Sequence, residues 1–145
     1  MFNKKRINFS PSDYVTHMVV CNNQLVLGMR NKVRRMDLIH PENFDDIDLQ
    51  KSTGEKVKIY ELFLDRMGKH LLVSLINPEI EGPTENVYLF HSSKKPQHCS
   101  KMKGHVISAV AWNPLIVNDN TTGVLLVGTT KGMFAVTFII NLSLV

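Results

Sequence analysis

Cysteine is scarce in this 145-residue chain, with Cys21 and Cys99 far apart and no C-x-x-C pair. The opening residues Met1 to Phe9 (MFNKKRINF) lack the apolar stretch of a secretory signal, so both thiols are expected to be reduced in the cytosol. Glycosylation of the N-x-S/T matches at Asn8, Asn120 and Asn141 is excluded on the same expectation. Long apolar runs are missing too. The most apolar segment, Met133 to Val145, falls short of the roughly 20 residues a spanning helix needs, and Thr137, Asn141 and Ser143 interrupt it. Few windows hold a helical period. No serine, cysteine or carboxylate arrives in a nucleophile motif, which leaves an enzyme without its chemistry. The six histidines, at 17, 40, 70, 91, 98 and 105, never form the short-spaced pairs of a zinc site, although His98, Cys99 and His105 come nearest. No catalytic, cofactor-binding or metal-ligating residue is assigned, and no cofactor is implied.

What the chain does have is enough apolar material for a core. Hydrophobic residues make up 43% of it, sufficient for one folded domain of this length. Lysine and arginine exceed aspartate and glutamate by 17 to 13, and a net charge of +4 does not by itself call for nucleic acid. Short runs of Val, Leu, Ile and Phe alternate with turn chemistry every ten residues or so, the pattern of β-strands.

Three of these runs repeat one design. VTHMVVCNNQLVLGM (Val15 to Met29), IYELFLDRMGKHLLVSL (Ile59 to Leu75), and ISAVAWNP with TGVLLVGTTKG are each an apolar strand, a polar turn and a second apolar strand. Val20-Cys21-Asn22 aligns with Leu64-Asp65-Arg66 and Trp112-Asn113-Pro114, at intervals of 44 and 48 residues, in or near the period of propeller blades. The longer interval holds a polar insertion, Leu115 to Gly123. Lys32 to Ile39 with Phe44 to Leu49, and Asn86 to His91 with His98 to Lys103, supply third and fourth strands; Ile7 to Phe9 could add a stray one from a neighbouring blade. The predicted fold is therefore all-β, a partial β-propeller of about two and a half four-stranded WD40-like blades. Because a blade hides both faces against neighbours, an open run is expected to leave an apolar face at each end and an unpaired edge. Propellers usually need 4 to 8 blades to close.

Single motifs are weaker. Gly104-His105 and Trp112-Asn113 have a flavour of WD40 dipeptides in the wrong spacing, and Trp112 is expected to fill an interblade core position. Val127 to Gly132 (VGTTKG) fails the phosphate-loop order and reads as a glycine-bearing hairpin. Asp45, Asp46 and Asp48 read as a solvated strand edge or turn. The basic clusters Lys4 to Arg6, Arg30 to Arg35, Lys51 to Lys58 and Lys94-Lys95 read as solvated hairpin tips, since no aromatics are interleaved with them. A small basic β-domain binding nucleic acid or anionic surfaces stays open as the alternative function.

Taken together, RINFSPSDYVTHMVVCNNQLVLGM, LFLDRMGKHLLVSL, SAVAWN and VLLVGTTKG resemble the deep orange family of vacuolar protein sorting-associated proteins 18, over about Lys5 to Gly132. The resemblance implies an N-terminal β-propeller, followed in full-length members by an α-solenoid and a C-terminal RING-type zinc finger. It further implies a core subunit of the HOPS and CORVET tethering complexes that acts in vesicle docking and fusion. Other class C vacuolar protein sorting subunits, Rab GTPases and the SNARE machinery would be its partners. It would be cytoplasmic and peripheral on late endosome, lysosome or vacuole membranes, with no nucleic acid and no transmembrane segment. The family's metal ligands lie in the RING finger, so none carries over. The family pattern after Gly132 continues with an aromatic and then an acidic residue, whereas here Phe134-Ala135 leads into VTFIINLSLV. Residues 1–132 are accordingly expected to be an incomplete propeller and 133–145 a divergent apolar tail, from a truncated splice product or gene-model fragment. Blade faces, and loops such as Asn77 to Glu85 and Leu115 to Gly123, are the expected partner surfaces.

Overall fold

A computed structural model describes residues 13–114 and 121–139. Within them the chain forms three antiparallel sheets, each a meander in which consecutive strands are neighbours. Sheet 1 holds β1 (His17–Cys21), β2 (Gln24–Met29), β3 (Lys32–Asp37) and β4 (Phe44–Asp48). Sheet 2 holds β5 (Lys58–Leu64), β6 (His70–Ile76), β7 (Pro83–Phe90) and the two-residue β8 (Gln97–His98). Sheet 3 holds β9 (Ile107–Ala111), β10 (Thr121–Thr129) and β11 (Gly132–Ile139). The first strands of successive sheets lie side by side, β1 against β5 and β5 against β9. The sheets therefore stack face to face in the manner of propeller blades.

The continuous apolar run of β6 follows from its place in the middle. Leu71, Val73 and Leu75 join Val26, Val33 and Ile47 of sheet 1 in one core. Leu72, on the opposite face, joins Ile107, Leu125, Val127 and Phe138 of sheet 3 in a second. A strand covered on both sides has no polar face to show, so alternation disappears from its sequence. Each such side chain contributes about 1.5–3 kcal/mol on burial.

The aligned junctions of the sequence repeat are physical neighbours. Cys21 Sγ donates to Arg66 O at 2.9 Å and Asn22 Nδ2 to Met67 O at 3.1 Å. Arg66 Nη2 in turn donates to Pro114 O at 3.2 Å. Gly68, at φ 71°, makes this approach feasible, because a Cβ there would stand 2.8 Å from Cys21 O.

Several boundaries differ from the sequence reading. Leu49 does not extend β4 but starts a short helix, α1 (Leu49–Thr53), with Asp48 accepting from Lys51 N at 2.9 Å as N-cap and Gly54 at φ 72° as C-cap. Five residues hold too little of a helical period to register against the strand pattern around them. The predicted strand His98 to Lys103 ends after His98, and Ser100–Met102 turn into a 3-10 helix that sinks Met102 into the core. β7 begins at Pro83, three residues early, which shortens the expected loop Asn77 to Glu85 to 77–82. β10 begins at Thr121, inside the expected insertion, and absorbs the irregularity as a bulge before Val124. The stray strand Ile7 to Phe9, the cluster Lys4 to Arg6, Asn8, Asn120 and Asn141 lie outside the described residues.

Candidate functional site

The interface between sheets 2 and 3 is closed by polar and aromatic groups, of which the sequence had placed Trp112 alone at such an interface. Ser74 and Asn86, both fully buried, pair across β6 and β7 with Ser74 Oγ donating to Asn86 Oδ1 at 2.8 Å. Asn86 Nδ2 donates to Met102 O and His105 O, both at 2.8 Å, and Ile107 N donates to Ser74 Oγ at 3.0 Å. One amide thus satisfies the turn that delivers the chain from sheet 2 to sheet 3. Nearby, His70 Nδ1 lies 2.7 Å from the Tyr88 hydroxyl, whose pKa burial and then Asp65 push upward, keeping it protonated. Phe138 stacks on Tyr88 with ring centroids 4.5 Å apart, and Trp112 stacks on His70 at 6.4 Å. Trp112 also packs against the second core, as expected for an interblade residue.

The basic clusters are built into the fold more than the sequence suggested. Arg34 and Arg35 are buried, not solvated hairpin-tip residues. Arg34 makes a two-pronged pair with Asp46, at 2.6 and 2.7 Å, and lies over the Phe44 ring. That hydrogen bond holds the Asp46 carboxyl below its usual range. Arg35 reaches across to sheet 2, donating to Phe90 O at 2.6 Å and Ser93 O at 2.7 Å, with Asp45 beside it at 3.4 Å. Burial lowers its pKa, opposed by Asp45. The run of aspartates, read as a solvated edge, therefore supplies counter-charges and a helix cap. Lys56 pairs with Glu79, Lys58 with Glu81, Lys94 with Asp45 and Lys103 with Glu85. These pairings leave the basic-surface reading without a cluster of one sign at these positions.

The histidines do not converge. Among the described residues no three His, Cys, Asp or Glu side chains are placed to share a metal ion. His17 Nε2 bonds Tyr60 O at 2.8 Å, His98 lies 4.0 Å from Glu85, and His105 packs edge-on against Phe134. Cys99 is buried beside Glu85, and burial with that carboxylate pushes its thiol up to about 12.

The surface that stands out is the far side of sheet 3. Register places Ala109, Ala111, Val124, Leu126, Gly128, Met133, Ala135, Thr137 and Ile139 on one face, opposite the face packed on sheet 2. None of them is charged. Val124, Leu126, Met133 and Ile139 are 58%, 44%, 70% and 67% exposed, large values for side chains on a regular sheet. The expected counterpart at the other end is not equivalent. On the far side of sheet 1, Met18 and Val20 are exposed, but Leu27, Met29 and Met36 are buried and the Arg34–Asp46 pair occupies part of the face.

A sheet apolar on both faces, third in a stack whose neighbours pack blade on blade, is the arrangement of an internal propeller blade. The model of the Pep3/Vps18/deep orange beta-propeller domain matches residues 1–143. The chain belongs to this family. Within the Vps18 group, the zebrafish (Danio rerio) vacuolar protein sorting-associated protein 18 homolog is 37% identical over 134 residues, 92% of this chain. The Drosophila melanogaster homolog is 30% identical over 130 residues, and Arabidopsis thaliana vacuolar sorting protein 18 is 29% identical over 119, each across 81% of this chain. The chain spans only about 13%, 13% and 12% of the length of these three relatives. The crystal structure of the computationally designed Ika4 protein superposes with a TM-score of 0.39 at 10% identity, over 97% of this chain and 100% of the designed one.

For the Vps18-type propeller, the sequence had pointed to blade faces and loops as contact surfaces. The exposed face of sheet 3 is such a blade face, made of strand residues. Its signal was the alternation inside VLLVG and MFAVTFI, in which both parities are apolar.

Proposed function

We propose that this chain is the propeller part of a subunit of a vacuolar sorting complex and acts as a non-catalytic scaffold. The family match over residues 1–143 carries the reading. The uncharged far face of sheet 3 supports it, because such a face is suited to receive another sheet as sheets 2 and 3 receive one another. The finer proposal is a part in HOPS and CORVET tethering, with other class C vacuolar protein sorting subunits, Rab GTPases and the SNARE machinery as partners. The site of action would be late endosome, lysosome or vacuole membranes. Attachment there would be peripheral and made through the complex; no helix among the described residues is long and apolar enough to cross a bilayer. The boundary at Gly132 between propeller and tail belongs to the same proposal. It would be one of sequence origin, not of fold, since β11 runs across it; in-frame continuation of Met133 onward in homologous full-length messages would remove it.

The test is a chimaera. Residues 13–139 replace the matching segment of a full-length Vps18-type subunit in cells lacking that subunit, and co-precipitation of class C subunits and delivery of a lysosomal or vacuolar enzyme are measured. Both should be restored, and Leu126→Asp in the same chimaera should abolish delivery. An expressed chimaera that restores neither, or a Leu126→Asp version that works as well as its parent, would overturn the proposal.

A further inference from the structure

Loop 91–96 (HSSKKP), which carries the chain from β7 to β8, holds two serines beside two lysines and is tied to sheet 1 by a buried arginine. Arg35, only 8% exposed, turns both terminal nitrogens to backbone carbonyls there, Phe90 O and Ser93 O. Its Nε is buried without a hydrogen-bond acceptor. The carboxylate that answers this charge is a shared one. Asp45 stands 3.4 Å from Arg35 and 3.6 Å from Lys94, in both cases beyond the about 2.7–2.9 Å of a tight charged hydrogen bond. The Lys95 ammonium has no ion-pair partner among the described residues. Arg35, Lys94 and Lys95 therefore meet Asp45 alone, which leaves this junction of sheets 1 and 2 with more positive than negative charge.

Ser93 sits where that excess converges. Its carbonyl is the 2.7 Å acceptor of Arg35, and Lys94 and Lys95 follow it directly in the chain. Its hydroxyl is loosely held in an exposed setting. Oγ accepts from Lys95 N at 3.2 Å and donates to Lys95 O at 3.3 Å, both long for bonds of these kinds.

From these observations we infer that Ser93 is a phosphorylation site, and that phosphoserine there is the counter-charge the loop lacks. In the step, Ser93 Oγ bonds to the γ-phosphorus of a nucleoside triphosphate held by a protein kinase. The bond from that phosphorus to the bridging β-oxygen breaks, the diphosphate leaves and the hydroxyl proton passes to a base of the kinase. The product carries about −1.5 to −2 charge at pH 7 and three strong acceptor oxygens, which offset the local excess. A phosphate oxygen also accepts from Lys95 N more strongly than a hydroxyl does. Lys94, whose side chain is 76% exposed, is free to turn from Asp45 towards the phosphate and leave that carboxylate to Arg35. Phosphorylation thus fastens loop 91–96 more firmly to sheet 1, where Arg35 already clamps its backbone.

The experiment has two parts. The 145-residue chain is recovered from eukaryotic cells with phosphatases inhibited, and the loop is mapped by mass spectrometry; phosphate is expected on Ser93. The same chain is then made with phosphoserine placed at residue 93, or at the exposed Ser92 for comparison, and the phosphate is titrated by phosphorus NMR in the folded chain and in urea. Neighbouring cations favour the dianion, so the second ionisation at residue 93, ordinarily near pH 6, should fall by at least about half a unit on folding. The fall at residue 92 should be smaller. Lys94→Ala combined with Lys95→Ala, both at exposed positions, should recover most of the shift, with far-UV circular dichroism confirming that this variant is folded. A Ser93 that carries no phosphate, an ionisation that is the same folded and unfolded, or a shift that the folded double variant leaves intact would each overturn the inference.

Discussion

Removing the Asn86 side chain should be among the most damaging single changes in this molecule, although it touches no surface. Asn86→Ala deletes two donated hydrogen bonds and one accepted from Ser74, all 2.8 Å long and all in or beside the buried interface of sheets 2 and 3. Each bond contributes about 1 kcal/mol net, while a buried group left without a partner costs about 1–3 kcal/mol. With Met102 O, His105 O and the Ser74 hydroxyl affected together, the loss should be about 3–5 kcal/mol. That is a large fraction of the roughly 5–15 kcal/mol that holds a domain folded. Ser74→Ala removes the acceptor of Ile107 N and one partner of Asn86, and should cost about 2 kcal/mol by the same reasoning. Because the two side chains share a bond, the double variant should lose less than the sum of the single ones, by about 1 kcal/mol. Urea unfolding followed by Trp112 fluorescence is the assay, since Trp112 packs in the interface that the node closes. With slopes of about 1–3 kcal/mol per molar urea, the midpoint of Asn86→Ala should fall by at least about 1 M. A shift under a few tenths of molar, or strict additivity of the two changes, would refute the account of a connected polar node.

Three further outcomes follow from the same geometry. Gly68→Ala, forced into φ 71° and against Cys21 O, should destabilise the fold by about 2–3 kcal/mol, measured by the same titration. Asp46 has its folded pKa depressed by Arg34, so its contribution is present above the unfolded value of 3.8 and lost as pH falls through the folded value; thermal melts between pH 6 and 2 should show a shallower acid limb for Asp46→Asn. The Cys99 thiol, raised from 9.0 to about 12, should resist a thiol-reactive dye at pH 8 until the chain is unfolded. Because the unfolded thiol ionises first, Cys99 should also take stability away as pH rises from about 9 towards about 12, a slope that Cys99→Ala should flatten.

Hydrophobic rhythm made the sheets legible. The junctions at Cys21, Asp65 and Asn113 stood out because each links two apolar runs, and the structure brings the first two turns into contact and ties the second to Pro114. Short elements were harder. A two-residue β8, the 3-10 turn after it and a five-residue α1 are shorter than the periods that would reveal them, and the turn and α1 are settled by what they bury, Met102 in one case and Leu49 in the other. Charged residues were the least legible. Arg34 and Arg35 are adjacent and alike in sequence, yet one locks to Asp46 on its own sheet and the other crosses to carbonyl groups of the next.

Sequence by itself determined the class of the fold, because strand alternation and repeat spacing are local properties that a chain carries whether folded or not. Only the tertiary structure decided which polar groups are hidden and how Asn86 serves the passage from one sheet to the next. Those outcomes depend on contacts between residues dozens of positions apart, and no window along the chain contains both partners.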